Sequence, residues 1–279
     1  MHFKRNFFTA TVIAIALASC TSNSEKATTE TEAKTEKVVA ISASDVAYNA
    51  GDKEMSGYVA FDSASAEKRP IVLIVHEWWG LGDYEKSRAR QLAELGYLAF
   101  AVDMYGKGIK GETPDAAGKL ATPFYTDPQL AKSRFDAALA QAKTYTQGDT
   151  TKIAAIGYCF GGAQVLNMAR LGEDLAGVVS FHGNLAGVPL QKENLKAKVF
   201  VAHGEADQFV SAAEVANFKK QMDSIGAAYS FKSYPNATHA FTNPAATANG
   251  EKFKIPIAYN KAADTTSWND MKAFFKEIF

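Results

Sequence analysis

The sequence predicts an α/β fold, a mostly parallel central sheet with helices on both faces. Two patterns point to it. Short β-prone apolar runs alternate along the chain with longer segments whose apolar residues recur at helical spacing. Within that alternation, residues 70–75 (Pro-Ile-Val-Leu-Ile-Val) carry no charged or hydrogen-bonding side chain, as expected of a central strand buried on both faces. At 279 residues and 47% hydrophobic, the chain has room for one larger α/β domain and little for a second.

Residues 1–20 come first and read as an export segment. Lys4 and Arg5 precede the apolar run 7–17, which is short for a bilayer span and has the layout of a secretory signal. It ends Leu17-Ala18-Ser19-Cys20, which resembles the lipobox of bacterial lipoproteins. That resemblance implies a lipid on Cys20 and a place in the cell envelope, in the periplasm or on the cell surface. Thr21 follows where an Asp would signal inner-membrane retention in enteric bacteria, so the outer membrane is the expectation. An ordinary signal, cleaved nearby, would instead leave Cys20 as a free thiol. Residues 21–37 hold no bulky apolar side chain and read as a disordered tether.

The folded domain is expected over residues 38–279. Residues 38–46 and 55–61 predict two opening strands around the turn residues 49–52, paired antiparallel at one edge. The buried strand 70–75 follows, then a helix at 84–95, a strand at 97–102 and an amphipathic helix at 129–145. Residues 153–156 predict another buried strand and 160–171 the helix after it. Strands at 175–181 and 197–202, a helix at 213–225, a last strand at 228–234, a long loop at 243–259 and a closing helix at 266–279 complete the pattern.

Chemistry concentrates around Cys159. Gly157, Gly161 and Gly162 flank it where a strand turns sharply into a helix, the G-x-nucleophile-x-G elbow with cysteine in the serine's place. A helix N-terminus behind the sulfur favours negative charge there. A buried structural cysteine in a glycine-rich turn is the other reading. A cysteine nucleophile needs a base, and the base needs an orienting partner. In the α/β-hydrolase order these follow the nucleophile as acid, then histidine. Asp207 lies just past the strand 197–202 and His239 just past the strand 228–234, both at strand carboxyl ends, where the elbow also sits. His203 abuts its strand and reads as a packed residue satisfied by backbone. His182 also follows its strand and could line the site or serve only its loop. The amides of Trp78 and Phe160 are the candidate oxyanion donors. Glu77, beside Trp78, would disfavour a thiolate unless His239 offsets it. Trp78 and Trp79 could equally form a hydrophobic loop capping the sheet.

Together, His76-Glu77-Trp78-Trp79-Gly80, Val102-Asp103-Met104-Tyr105, Gly157-Tyr158-Cys159-Phe160-Gly161-Gly162, Gly204-Glu205-Ala206-Asp207 and Thr238-His239-Ala240-Phe241 resemble the dienelactone hydrolases, in family order. The resemblance implies an α/β-hydrolase with a Cys159-His239-Asp207 triad, an oxyanion hole from Trp78 and Phe160, and a Glu77 that pairs with the resting thiol until substrate displaces it. A substrate pocket is expected near Trp79, Tyr105, Phe241 and Asn243. One departure is informative. Dienelactone-cleaving members hold the substrate carboxylate with an arginine four residues after the histidine, and Asn243 stands there. A second family arginine falls in residues 106–121, which offer only Lys107, Lys110 and Lys119 as cations. Without that guanidinium fork the chemistry carries over and the carboxylated substrate does not.

The expectation is therefore hydrolysis of a small-molecule carboxylic ester or lactone through an acyl-enzyme, without cofactor. A thioesterase or acyl transferase would use the same triad. A non-catalytic binding module on this fold would be expected to lack a triad member, and a redox thiol would lack a resolving partner once Cys20 is lipidated. Lys and Arg (30) balance Asp and Glu (30) with no basic block, so no nucleic-acid partner is expected. No His-x-x-x-His or Cys-x-x-Cys spacing suggests a metal. Oligomeric state is not legible, and a monomer is taken as the default.

Overall fold

The computed structural model describes residues 39–279, so the export segment with Cys20, the tether and Val38 lie outside the described residues. The described chain forms one eight-stranded sheet in the order β1-β2-β4-β3-β5-β6-β7-β8. β1 (Ile41–Ala50) and β2 (Lys53–Asp62) form an antiparallel hairpin over a turn at Gly51, whose φ of 60° suits glycine. β2 also runs antiparallel to β4 (Leu98–Val102). From there every pairing is parallel, through β3 (Arg69–Val75), β5 (Gly148–Tyr158), β6 (Gly177–Phe181), β7 (Lys198–Gly204) and β8 (Tyr229–Tyr234).

The apolar run of β3 earns its central place by alternation. Ile71, Leu73 and Val75 enter one core layer with Phe135, Val165 and Phe218, while Val72 and Ile74 enter the other with Leu92, Phe274 and Phe275. The first layer is covered by α3 (Pro128–Ala142), α4 (Phe160–Arg170) and α5 (Ala212–Ser224), the second by α1 (Asp83–Glu94) and α7 (Lys261–Ile278). All residues of α4 are buried, so this helix is core on every side.

Two helices differ from the sequence expectation. α2 (Pro114–Thr126) forms where no element was expected, and α6 (Ala246–Phe253) interrupts the expected long loop 243–259. Local chemistry explains α2. Thr113 caps it through Oγ1, which accepts from the Ala116 amide, and Pro114 takes the first helical position, where no N–H is needed. α6 begins without a side-chain cap and ends at Lys254 in the left-handed region (φ 57°). Weak end signals of that kind leave little for a sequence pattern to show.

Candidate active site

The loops after β3, β5, β7 and β8 meet at the carboxyl edge of the sheet, and each brings one part of the site. β5 delivers Cys159 on a turn with φ 53° and ψ −114°, an unusual conformation for a residue with a Cβ. Close packing holds the turn. A Cβ on Gly157 would lie 2.0 Å from the Gly161 carbonyl oxygen, and one on Gly161 would lie 2.1 Å from that of Val75. The Cys159 amide donates to the Phe181 carbonyl (3.0 Å) and to His182 Nδ1 (3.1 Å). Cys159 itself is half-buried and lines a cavity of about 420 Å³.

β8 leads into His239, and β7 into Asp207. His239 Nδ1 lies 2.9 Å from Asp207 Oδ2, while the Phe209 amide donates to Asp207 Oδ1 at 2.8 Å. Burial works against a charged His239 ring. Charge interaction and hydrogen bonding with Cys159 and Asp207 outweigh it and push the imidazole up to about 10. The ring therefore stands between the acid and the thiol, as a proton carrier must. Behind it, residue 257 returns to form a parallel bridge with His239, so the segment containing α6 braces the histidine backbone.

β3 supplies Glu77 and Trp78. α4 begins at Phe160, whose amide is one of the helix's unpaired N-terminal donors. The Trp78 amide makes no hydrogen bond among the described residues, while its carbonyl accepts from the Tyr105 hydroxyl at 3.1 Å. Buried His76 ties this loop to the next one. Its Nδ1 meets the Glu77 carbonyl and its Nε2 accepts from the Met104 amide at 3.2 Å.

Of the expected pocket residues, only Trp79 reaches the wall, stacked on Phe253 of α6 with centroids 5.7 Å apart. Tyr105, Phe241 and Asn243 do not line the cavity. Tyr105 packs its ring on His76 and Phe160, and Phe241 is fully buried against His182 and Tyr234. Asn243 turns to Glu77 instead, its Nδ2 donating to Oε2 at 2.6 Å. The remaining wall includes Ala121, Thr122 and Tyr125 of α2, with Asn184, Phe209 and Ile257. Those α2 residues were missed with the helix, although Thr113-Pro114 was a readable start signal.

Two further histidines separate in role. His203 packs on Phe231 rather than entering the cavity. His182, at φ 43°, is the residue that a linear reading undervalues. Its Nδ1 accepts from the nucleophile's own amide and its Nε2 meets Thr242 Oγ1 at 2.7 Å. Burial, then the charges of His239 and Arg88, hold it well below the usual histidine value, so it stays a neutral acceptor. Of the lysines of 106–121, Lys107 pairs with Glu54 and Lys119 with Asp115. Among the described residues no group of three or more His, Cys, Asp or Glu side chains is placed to hold a metal ion.

The dienelactone hydrolase family model matches residues 55–279. The chain belongs to the dienelactone hydrolase family. It is 30% identical over 229 residues to protein usf of Aquifex pyrophilus, spanning 80% of this chain and 94% of that one. A protein of Aquifex aeolicus (strain VF5), named as a proposed carboxymethylenebutenolidase, is 31% identical over 68% of this chain and 83% of its own. Among solved structures, a dienelactone hydrolase-like promiscuous phosphotriesterase from metagenomic libraries superposes with a TM-score of 0.80. It is 32% identical and is matched over 86% of this chain and 99% of its own. Esterase 2 of Thermogutta terrifontis, at 16% identity and a TM-score of 0.59, shares the fold. This dienelactone hydrolase family member is an ester-hydrolysing enzyme with an α/β-hydrolase fold.

Proposed function

We propose that this enzyme hydrolyses an uncharged carboxylic ester or lactone through a Cys159-His239-Asp207 triad and a thioester acyl-enzyme. The observation that carries the reading is the relay from Asp207 through His239 to a strained Cys159 on the cavity floor. The Cys159 thiol gives its proton to His239 as Sγ attacks the carbonyl carbon, and the amides of Trp78 and Phe160 receive the oxyanion. As the tetrahedral intermediate collapses, His239 gives its proton to the leaving alkoxide, while Asp207 holds the ring and offsets its charge. Water then attacks the thioester, His239 takes its proton, and the acid leaves with the thiol restored. Neutral substrates are favoured because, among the described residues, no Lys or Arg lines the cavity. Thioester cleavage and acyl transfer by the same triad would show as product partition when competing nucleophiles are added.

Replacing Cys159 by Ala is expected to lower kcat/KM on small uncharged esters by about 10³-fold or more, with folding unchanged, and Cys159→Ser to retain a small part of it. Equal activity of wild type and Cys159→Ala across activated esters and lactones would sink the triad reading. A second reading has one observation in its favour: the 32% identical solved structure is of a promiscuous phosphotriesterase. An uncharged phosphotriester presents a neutral electrophile to the same sulfur, and a phosphotriester panel run beside the esters separates the two.

The export reading belongs to this proposal too, supported by the lipobox-like Leu17-Ala18-Ser19-Cys20 and the apolar run before it. Lipid on Cys20 would place the catalytic domain in the cell envelope at the end of the 21–37 tether. Fatty-acid labelling of the expressed chain should be lost in Cys20→Ser; labelling absent from both would defeat the anchor.

A further inference from the structure

Four residues of α2 line the cavity: Gly118, Ala121, Thr122 and Tyr125. Their helical spacing puts them on one face, which runs for about 10 Å along the axis. Gly118 is the unexpected member. A glycine inside a helix is less favourable than alanine, because it gives up more backbone freedom on folding. It is needed where a Cβ would clash or where the backbone turns left-handed. Gly111, just before α2, is such a case, since a Cβ there would lie 2.5 Å from the Ala117 Cα. Gly118 is not. A Cβ on it would meet no atom within 4 Å, and its φ lies outside the left-handed region. Of the chain's 20 glycines, all among the described residues, only Gly118 combines these two properties. Neither packing nor backbone geometry requires it.

The cavity does supply a reason, because the helix face on which Gly118 lies is its wall. That face offers little polarity. Ala121 carries only a methyl, and the Thr122 hydroxyl already donates to the Gly118 carbonyl at 2.7 Å. Tyr125 ends the row, and both it and Phe209 are 42% exposed although they line the same cavity. Two large rings open to water at one cavity mark a surface that an apolar group covers. The two rings border different parts of an ester. Phe209 lies 4.9 Å from the His239 ring, and Ile257 bridges the His239 backbone. His239 must reach the leaving oxygen, so the alcohol lies on that side. α2 packs on Phe160 instead, through Phe124 and Tyr125. The acyl group is left to run along α2.

We propose that Gly118 is a specificity-determining position, a glycine that leaves room for an extended apolar acyl chain to lie along α2 toward Tyr125. This rests on reading the cavity as the ester-hydrolysing site and deepens it. The substrate class becomes an uncharged ester whose acyl group is a chain of about six to eight carbons, the reach of that helix face. The helix is less stable than it could be, and the cavity is wider for it.

Substitution at 118 separates room for substrate from a role in the scaffold. The full chain as wild type, Gly118→Ala, Gly118→Leu and Cys159→Ala is compared by thermal melt and by kcat/KM on p-nitrophenyl acetate, hexanoate and octanoate. Phenyl and naphthyl acetates probe the alcohol side in the same way. Gly118→Ala is expected to melt about 2–4 °C above wild type, since it gains helix propensity and meets no neighbour. The activity readout is the ratio of kcat/KM on octanoate to that on acetate, in which effects common to both esters cancel. Gly118→Leu should lower this ratio by about tenfold or more, chiefly through KM, and Gly118→Ala by a smaller factor in the same direction. Gly118→Ala carries the comparison if the leucine variant unfolds. A lower melt of Gly118→Ala would overturn the proposal, because the glycine would then serve the helix. An unchanged ratio would overturn it too, whether both esters lose alike, as for a hinge in α2, or neither does. So would a penalty that follows the naphthyl leaving group and spares the acyl chain. A wild type as inert as Cys159→Ala on every ester would instead defeat the hydrolase reading, and the acyl site with it.

Discussion

Cys159 holds a backbone conformation that costs a non-glycine residue about 1–3 kcal/mol, and its neighbours over-determine it. Its amide finds both the Phe181 carbonyl and His182 Nδ1, so the strain is met by hydrogen bonds that only this turn can make. Glu77 is the second residue held against its preference, and its consequence for stability has a definite sign. The folded state keeps its proton up to about 8, whereas an ordinary glutamate releases it near 4.5. Between those values the native protein binds more protons than the unfolded chain, so stability falls as pH rises through the window and levels off above it. Glu77→Gln removes that dependence. Melting temperatures of the two proteins, compared from pH about 5 to 9, should diverge in favour of the variant up to pH about 8 and then run parallel. A constant difference across the range would mean that Glu77 does not titrate in this window.

The elbow depends on a helix meeting two strands more closely than a Cβ permits. Because the Cβ added by Gly161→Ala would press on backbone, the Val75 and His76 carbonyls, no rotamer change relieves it. The expected outcome is a loss of about 2 kcal/mol or more, seen as an early melting transition. A wild-type melt would show that the close contact between α4 and β3 is not required. α2 and α6 act differently. Both help shape the cavity: Tyr125 of α2 packs edge-on to Phe160, and Phe253 of α6 stacks on Trp79. α2 does carry an apolar stripe, Ala117, Ala121 and Phe124 at helical spacing, beside the start signal of Thr113-Pro114, whereas α6 buries only Ala246.

On the scale of the whole described domain, the layer covered by α1 and α7 is held by long-range polar ties as well as by apolar packing. Arg88 of α1 reaches Asp264 of α7, the Thr242 carbonyl and the ring of Trp268, tying both helices to the loop that carries His239. Burial holds the Asp264 carboxyl above its usual value despite that arginine, so part of the pair's attraction is offset by desolvation. Asp264→Ala leaves the buried guanidinium short of its counter-charge. A loss of about 3 kcal/mol is expected, a fall of about 6–12 °C in the melting temperature. An unchanged melt would show that Thr242 and the aromatic rings suffice for Arg88.

Much of this arrangement is written locally. Alternation along β3 determines a strand buried on both faces, and the glycines around Cys159 mark the sharp turn. The order Cys159, Asp207, His239, each just past a strand, places three groups on one edge of a parallel sheet. These are legible because they follow from side-chain period and backbone sterics, which act over a few residues. What the tertiary structure decided are contacts between loops from different strands. Asn243 is 166 residues from Glu77 in sequence, yet its amide holds Oε2 of that carboxyl in place. Thr242 reaches His182 across 60 residues, and where α2 docks decides how the cavity is closed. Such pairings depend on where whole elements dock, and their energies arise from burial and from the partners left facing one another. No local pattern encodes either.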